Sequence, residues 1–175
     1  VSAGPTVSEG TVYIASDDGR VYALATDSGD QQWQFQLGFG NEARSAPSVV
    51  NGTVYVGSAD TNVYAIDADS GDQQWRFETG EVVDSSPTVV DGVVYVASND
   101  AGVYALDASD GTQQWRFETS DIAEVTPAVV DGTVYATDRA GNVYAIDASD
   151  GTQQWRFTAD DAVTTSPAVA NGTVY

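Results

Sequence analysis

The 175-residue chain contains no cysteine, no histidine and no lysine. Without cysteine there is no disulfide framework, thiolate nucleophile or cysteine-rich metal site, and without histidine there is no catalytic imidazole. The six basic residues are all arginine (20, 44, 76, 116, 139 and 156), set against 26 acidic ones. So few cations exclude a binder of duplex DNA or RNA, which uses Lys and Arg to release counterions from phosphates. They equally exclude attachment to an anionic lipid surface. Long apolar runs are missing too. No stretch approaches the roughly 18 consecutive apolar residues of a membrane span, so direct membrane insertion is not expected. No secretory signal pattern is visible within these residues.

Negative charge is what the chain has in excess. The net charge is −20, and Asp outnumbers Glu by 20 to 6. Such acidity often marks disorder, but 42% apolar and 10% aromatic residues suffice for a core. A folded chain with this charge repels itself at modest salt. Molar salt removes much of that repulsion, because the Debye length shrinks to about 3 Å. Strong acidity, Asp over Glu and missing Lys together resemble the proteins of salt-in halophiles such as haloarchaea. The resemblance implies a fold that is lost reversibly at low salt.

The chain is an internal repeat. Trp recurs at 33, 75, 115 and 155, and Pro at 5, 47, 87, 127 and 167, in steps of 42 and then 40 residues. Tyr follows the same steps at 13, 55, 95, 135 and 175, with a second set at 22, 64, 104 and 144. Residues 107–117 and 147–157 are identical, both reading DASDGTQQWRF. A period near 40 marks stacked repeat architectures.

Each period reads as four short strands. In the third copy the first covers 85–90, the second 93–98, the third 103–107 and the fourth 113–117. Asp91-Gly92 joins the first two, as Glu9-Gly10, Asn51-Gly52, Asp131-Gly132 and Asn171-Gly172 do elsewhere. These dipeptides suit two-residue hairpin turns with positive φ. In the second strand Val94 and Val96 share one face, Tyr95 and Ala97 the other. Neither face is polar, so each sheet is expected to be covered on both sides. Helix signals are absent. A four-stranded antiparallel unit, apolar on both faces and repeated every 40 residues, is expected to be a blade of a β-propeller. A β-solenoid fits less well, since its coils are shorter and lack paired tight hairpins. The fold class is therefore all-β, with residues 1–175 forming one β-propeller segment. Its complete blades are expected at 3–37, 45–79, 85–119 and 125–159, with a partial blade at 165–175.

Ala65, Asp67, Ser70, Gly71 and Trp75 form the pattern A-x-D-x-x-S-G-x-x-x-W, which resembles the tryptophan-docking motif of the PQQ-type repeat family. Ala105, Asp107, Gly111 and Trp115 repeat it, as do Ala145, Asp147, Gly151 and Trp155. The first copy keeps Ala23, Gly29 and Trp33 but has Ala25 in place of the Asp. The family includes quinoprotein alcohol dehydrogenases and non-catalytic relatives such as the outer-membrane assembly scaffold lipoprotein. The resemblance implies that each Trp stacks between its own Ala and the Gly-bearing turn of the next blade. The motif then staples blades together and does not by itself indicate bound PQQ. Family propellers usually have seven or eight blades, so this chain is expected either to be part of such a ring or to pair with a second copy as half-propellers.

Comparison among the copies separates scaffold from candidate site. Turns at one end of the blades are nearly uniform, whereas the loops at the other end diverge. Three residues before the repeat Pro stand Ser2, Arg44, Asp84, Glu124 and Thr164, and four after the second-strand Tyr stand Asp17, Ala59, Asn99 and Arg139. The longer first linker adds Phe39. The candidate binding face is thus Phe39, Arg44, Asp84, Glu124, Arg139 and Thr164. The blade-docking set is the twelve Ala, Gly and Trp positions of the four motifs.

No catalytic, cofactor or metal residues are assigned. Catalytic relatives hold Ca²⁺ and PQQ with a Glu, an Asn, an Asp, a Trp floor and often a disulfide, and nothing in these blades matches. The Asp-rich turn 67–72 lacks the EF-hand order and reads as a turn stabiliser rather than a calcium loop. Asn51-Gly52-Thr53 and Asn171-Gly172-Thr173 match the glycosylation sequon, though the turn explains each Asn. The expectation is a non-catalytic, extracytoplasmic, cell-surface or secreted scaffold with a protein partner. Two alternatives stay open: a PQQ- and calcium-dependent dehydrogenase with its active residues elsewhere, and an extracytoplasmic sensor domain.

Overall fold

The structure, a computed structural model, describes residues 3–38 and 42–175. Among the described residues there is no helix, and so none long and apolar enough to cross a membrane. The first sheet comprises β1 (Thr6–Ser8), β2 (Thr11–Ser16), β3 (Arg20–Ala25) and β4 (Gln31–Gln36). The second comprises β5 (Ser48–Val50), β6 (Thr53–Gly57), β7 (Asn62–Asp67) and β8 (Gln73–Glu78). The third is β9 (Thr88–Val90), β10 (Val93–Ser98), β11 (Gly102–Asp107) and β12 (Gln113–Glu118). The fourth is β13 (Ala128–Val130), β14 (Thr133–Thr137), β15 (Asn142–Asp147) and β16 (Gln153–Thr158). Each is an antiparallel meander in chain order, and β17 (Val169–Ala170) with β18 (Thr173–Val174) begins a fifth. These are β-propeller blades.

Local chemistry sets the strand ends. The five dipeptide turns have both central residues at positive φ, for example 50° at Asp91 and 78° at Gly92, the type I′ geometry that matches strand twist. The first strand of the third blade begins at Thr88, not at residue 85. Pro87 has no N–H for the ladder. Ser85 instead braces the loop, its Oγ donating to Ala97 O at 2.8 Å and accepting from Ala97 N at 2.9 Å. Between the third and fourth strands the register slips after each motif Ala: Ala105 pairs with Trp115, but Leu106 pairs with Gln113. This bulge absorbs Gln114, and the same slip occurs in every blade. The repeated Gln-Gln doublet is its sequence trace.

The first strands β1, β5, β9 and β13 contact one another in series, so the axis of the array lies on their side. Successive sheets stack through alternate side chains. Val94 and Val96 of β10 join Tyr55, Val63, Ala65 and Trp75 of the second blade. Tyr95 and Ala97 join Val134, Ala136, Tyr144 and Ile146 of the fourth. Both faces of an interior blade are therefore core, as the apolar doublets require. Ile66, Leu106 and Ile146 take the same position in three blades and are fully buried, each contributing roughly 1.5–3 kcal/mol.

Candidate functional site

A row of paired residues crosses each blade from the axis outward, such as Thr88, Tyr95, Ala105 and Trp115 in the third. The small Ala lets Tyr and Trp meet over it, with ring centroids 5.9 Å apart. Each indole then reaches into the next blade. Trp33 Nε1 donates to Ala68 O at 2.8 Å, Trp75 to Ala108 O at 2.9 Å and Trp115 to Ala148 O at 2.9 Å. The rings lie on Gly71, Gly111 and Gly151, where an added Cβ would come within 2.7–2.8 Å of ring atoms. Gly29 and Trp155 carry the same motif without such contacts. A Cβ on Gly29 would meet nothing within 4 Å, and Trp155 is 41% exposed.

The motif Asp organises the turn itself. Asp67 Oδ1 accepts from Ser70 N at 2.9 Å and Asp69 N at 3.1 Å, and these bonds hold its carboxyl below the usual range. In the first copy, with Ala25 there, the turn keeps its backbone bonds, Gly29 N donating to Ala25 O and Ala25 N to Asp30 O at 2.9 Å each, and Ser28 Oγ accepts from Asp30 N at 3.2 Å.

A second contact between blades escaped the sequence reading. Asp60 Oδ2 accepts from Gly38 N of the preceding blade at 2.6 Å and from its own Tyr64 Oη at 2.6 Å. Asp100 does the same with Gly80 N at 2.7 Å and Tyr104 Oη at 2.6 Å. In the fourth blade Ala140 occupies the equivalent position, and the carboxylate comes from Asp138 instead. It accepts from Ser120 N at 3.2 Å, Ser120 Oγ at 2.9 Å and Tyr144 Oη at 2.8 Å. Burial raises the carboxyls of Asp60 and Asp138, but the converging donors outweigh it and hold both below the ordinary range. Burial and the bond to Asp60 push the Tyr64 hydroxyl up to about 12. The recurring Asp-x-x-x-Tyr spacing at 18/22, 60/64 and 100/104 was the available signal.

The divergent residues gather at one end of the array. There the linkers between blades interleave with the loops joining second and third strands. Ala59 N donates to Glu42 O at 3.1 Å, Asn99 N to Val82 O at 2.9 Å and Arg139 N to Ile122 O at 3.0 Å. Arg44 Nη2 lies 2.6 Å from Glu42 Oε2, Asn99 Nδ2 donates to Asp84 Oδ2 at 3.2 Å, and Arg139 pairs with Glu124. Glu42 above all, then Asp84, holds the Arg44 guanidinium more firmly protonated, and Glu124, Asp121 and Asp84 do so for Arg139. Asp84, on the linker between the second and third blades, thus acts electrostatically on both cations. Arg44 and Arg139 are about half exposed, and pairs so open to water add little to stability. Oδ1 of Asp84 and of Asn99 are shielded yet accept no hydrogen bond from the protein. The fold thus brings Arg44, Asp84, Glu124 and Arg139 onto one strip. Thr164 is exposed on the linker after the fourth blade, and Phe39 lies outside the described residues.

Three of the four indoles are committed to packing between blades. The indoles of Trp33, Trp75 and Trp115 are only 6–8% exposed and lie on glycine turns, so none can floor a planar ligand. Glu124 is paired with an arginine, and among the described residues no three carboxylates converge on a common point.

The model of the family described as outer membrane protein assembly factor BamB matches residues 1–84, 44–126 and 118–175. Among solved structures, BamB from Moraxella catarrhalis shares 19% identity with a TM-score of 0.84, over 99% of this chain and 53% of that one. The quinohemoprotein alcohol dehydrogenase of Comamonas testosteroni shares 17% at a TM-score of 0.83, over 99% of this chain and 38% of its own. The quinohemoprotein alcohol dehydrogenase ADHIIG of Pseudomonas putida HK5 shares 19% at 0.75, over 89% and 34%. The chain spans about half of the first and little more than a third of the others. At these identities the likeness is one of fold. No curated protein matches.

Proposed function

Since the chain belongs to the family of the outer membrane protein assembly factor BamB, we propose that it is a non-catalytic, protein-binding scaffold that works outside the cytoplasm. One observation carries this reading. The copies share the Trp, Ala and Gly of the docking motif and differ along the strip of Arg44, Asp84, Glu124 and Arg139. Variation among loops gathered at one end of the blades is what a binding face on a repeated scaffold requires. Alternating charges held in loose pairs suit a protein partner with the opposite alternation, since the exposed arginines can exchange Glu42 and Glu124 for its carboxylates. Such contacts give specificity and speed of association more than raw affinity. The relatives named for assembly and the acidic surface point the same way. The same surface favours a salt-rich setting.

The test is capture of partners from the extracytoplasmic fraction of the source cells by the native chain and by an Arg44→Glu/Arg139→Glu variant. A discrete protein retained by the first and lost by the second supports the proposal; equal retention by both contradicts it. A quinone absorbance and dye-linked alcohol oxidation after adding PQQ and Ca²⁺ in molar salt would support the dehydrogenase reading instead.

A further inference from the structure

We propose that Asn51 accepts an N-linked oligosaccharide, an inference that rests on the extracytoplasmic role. Asn51-Gly52-Thr53 has the form of the acceptor sequon for such glycans. It makes the tip of the hairpin joining β5 and β6, in the second blade. The turn accepts this Asn without selecting it. Asn51 has φ 51°, and Glu9, Asp91 and Asp131 take the same place in the other complete blades at 47°, 50° and 49°. Among those blades the second alone joins an Asn to a Thr two positions on. The first reads Glu9-Gly10-Thr11, the third Asp91-Gly92-Val93 and the fourth Asp131-Gly132-Thr133. Asn51 is exposed, and its carboxamide has no hydrogen-bond partner among the described residues.

There is room for a sugar beside it. A groove of about 520 Å³ runs between the second and third blades, with Asn51, Gln74, Asp91, Asp107, Ser109 and Gln114 on its walls. Amides, carboxylates and hydroxyls of this kind offer both donors and acceptors to saccharide hydroxyls. The groove opens at the end of the blades that carries the uniform turns, opposite the strip of Arg44, Asp84, Glu124 and Arg139, so a glycan there leaves the partner face free. Transfer joins the Asn51 carboxamide nitrogen to C1 of the first sugar of a lipid-phosphate-linked oligosaccharide. The N–C1 bond forms as the C1–O bond to phosphate breaks. The lipid phosphate leaves with the electron pair, and one amide proton passes to a base of the transferase. In the closed hairpin Thr53 is 7% exposed and its Oγ1 donates to Gln74 Oε1 at 3.1 Å. The sequon hydroxyl is thus withdrawn once the strands have paired, and transfer comes before the second blade closes.

Trypsin cuts after lysine and arginine, and with no lysine in the chain residues 45–76 form one peptide that holds this sequon alone. The test is to purify the whole protein from the extracytoplasmic fraction of the source cells and weigh that peptide. The expected mass exceeds that of the sequence by whole saccharide residues, which fragmentation assigns to Asn51. Asn51→Asp and Thr53→Val install the residues that the third blade carries at these places, so both should fold, as an unchanged circular dichroism spectrum would show. Each should lose the added mass completely, while Thr53→Ser should keep it. A bare peptide from protein recovered outside the cytoplasm, or an added mass that survives Thr53→Val, overturns the proposal. Protein recovered only from the cytoplasm overturns instead the extracytoplasmic reading on which it rests.

Discussion

Two glycines in the third blade isolate the energy of blade docking. Gly92 and Gly111 have nearly the same left-handed backbone, φ +78° and +75°. Their surroundings differ: a Cβ on Gly92 would meet nothing within 4 Å, while one on Gly111 would lie 2.7 Å from Trp75 Cε3. Alanine at either site bears the left-handed penalty of about 1–2 kcal/mol. At Gly111 it also intrudes on an ordinary carbon contact of about 3.5–4.0 Å by roughly 1 Å. The indole cannot simply retreat, since Ala65 of its own sheet lies opposite and its Nε1 is bonded to Ala108 O at 2.9 Å. Overpacking of about 1–3 kcal/mol and the strain on one hydrogen bond of about 1 kcal/mol then add to the common cost. Gly111→Ala should therefore be less stable than Gly92→Ala by about 2–4 kcal/mol. For a chain of this size that is roughly 4–16 °C in the thermal midpoint, read by tryptophan fluorescence in molar salt. Adding Trp75→Leu should shrink the gap. Equal midpoints for the two alanine variants would refute the reasoning that the indole rests on the glycine.

Three further outcomes follow from the clasps and the charge. Asp138→Ser leaves the buried donors around Asn142 and Tyr144 without their acceptor and should cost about 2–3 kcal/mol. Adding Ala140→Asp restores the arrangement of the second and third blades and should regain most of the loss; a double variant no better than the single one rules out the exchange of positions. The native carboxyl of Asp138 lies below its unfolded value, so the unfolded chain binds more protons in between and stability rises with pH across that window. The stability gap between the native chain and Asp138→Asn should hold steady above about pH 5 and close as pH falls below about 4; a gap unchanged at pH 2 would exclude a charged Asp138 as its source. With a net charge of −20, raising NaCl from 0.1 M to molar levels should raise the melting temperature, and dialysis to low salt should reversibly erase the circular dichroism of the fold. An unchanged spectrum there would count against adaptation to salt.

Some features of this molecule are written in residue types and others only in reach. Asp91-Gly92 and its equivalents announce a turn because few other dipeptides accept two positive φ values. The apolar doublets of β10 announce two covered faces because side chains alternate across a strand. The bulge at Gln114 was hidden, since a doublet of glutamines looks like surface until the register on both sides is known. The clasp carboxylate was hidden for another reason. What matters is where its oxygen arrives, and Asp138 reaches from two positions away the place that Asp60 and Asp100 occupy directly. The motif also reads alike at Trp115 and Trp155, although one is 7% and the other 41% exposed. Occupancy depends on the neighbouring blade and not on the motif. At the candidate strip the divergence of Arg44, Asp84, Glu124 and Arg139 was legible, but their pairing across successive loops was not, because it depends on how the linkers interleave.

The most direct test of a partner-binding strip is site-specific photo-crosslinking in the source cells. A benzophenone side chain placed at Arg44, Asp84 or Arg139 should yield the same discrete protein adduct from all three sites. The same group at Gln74, Gln114 or Gln154, exposed at the bulges, should yield none. Adducts from the glutamine positions with none from the strip would contradict the account.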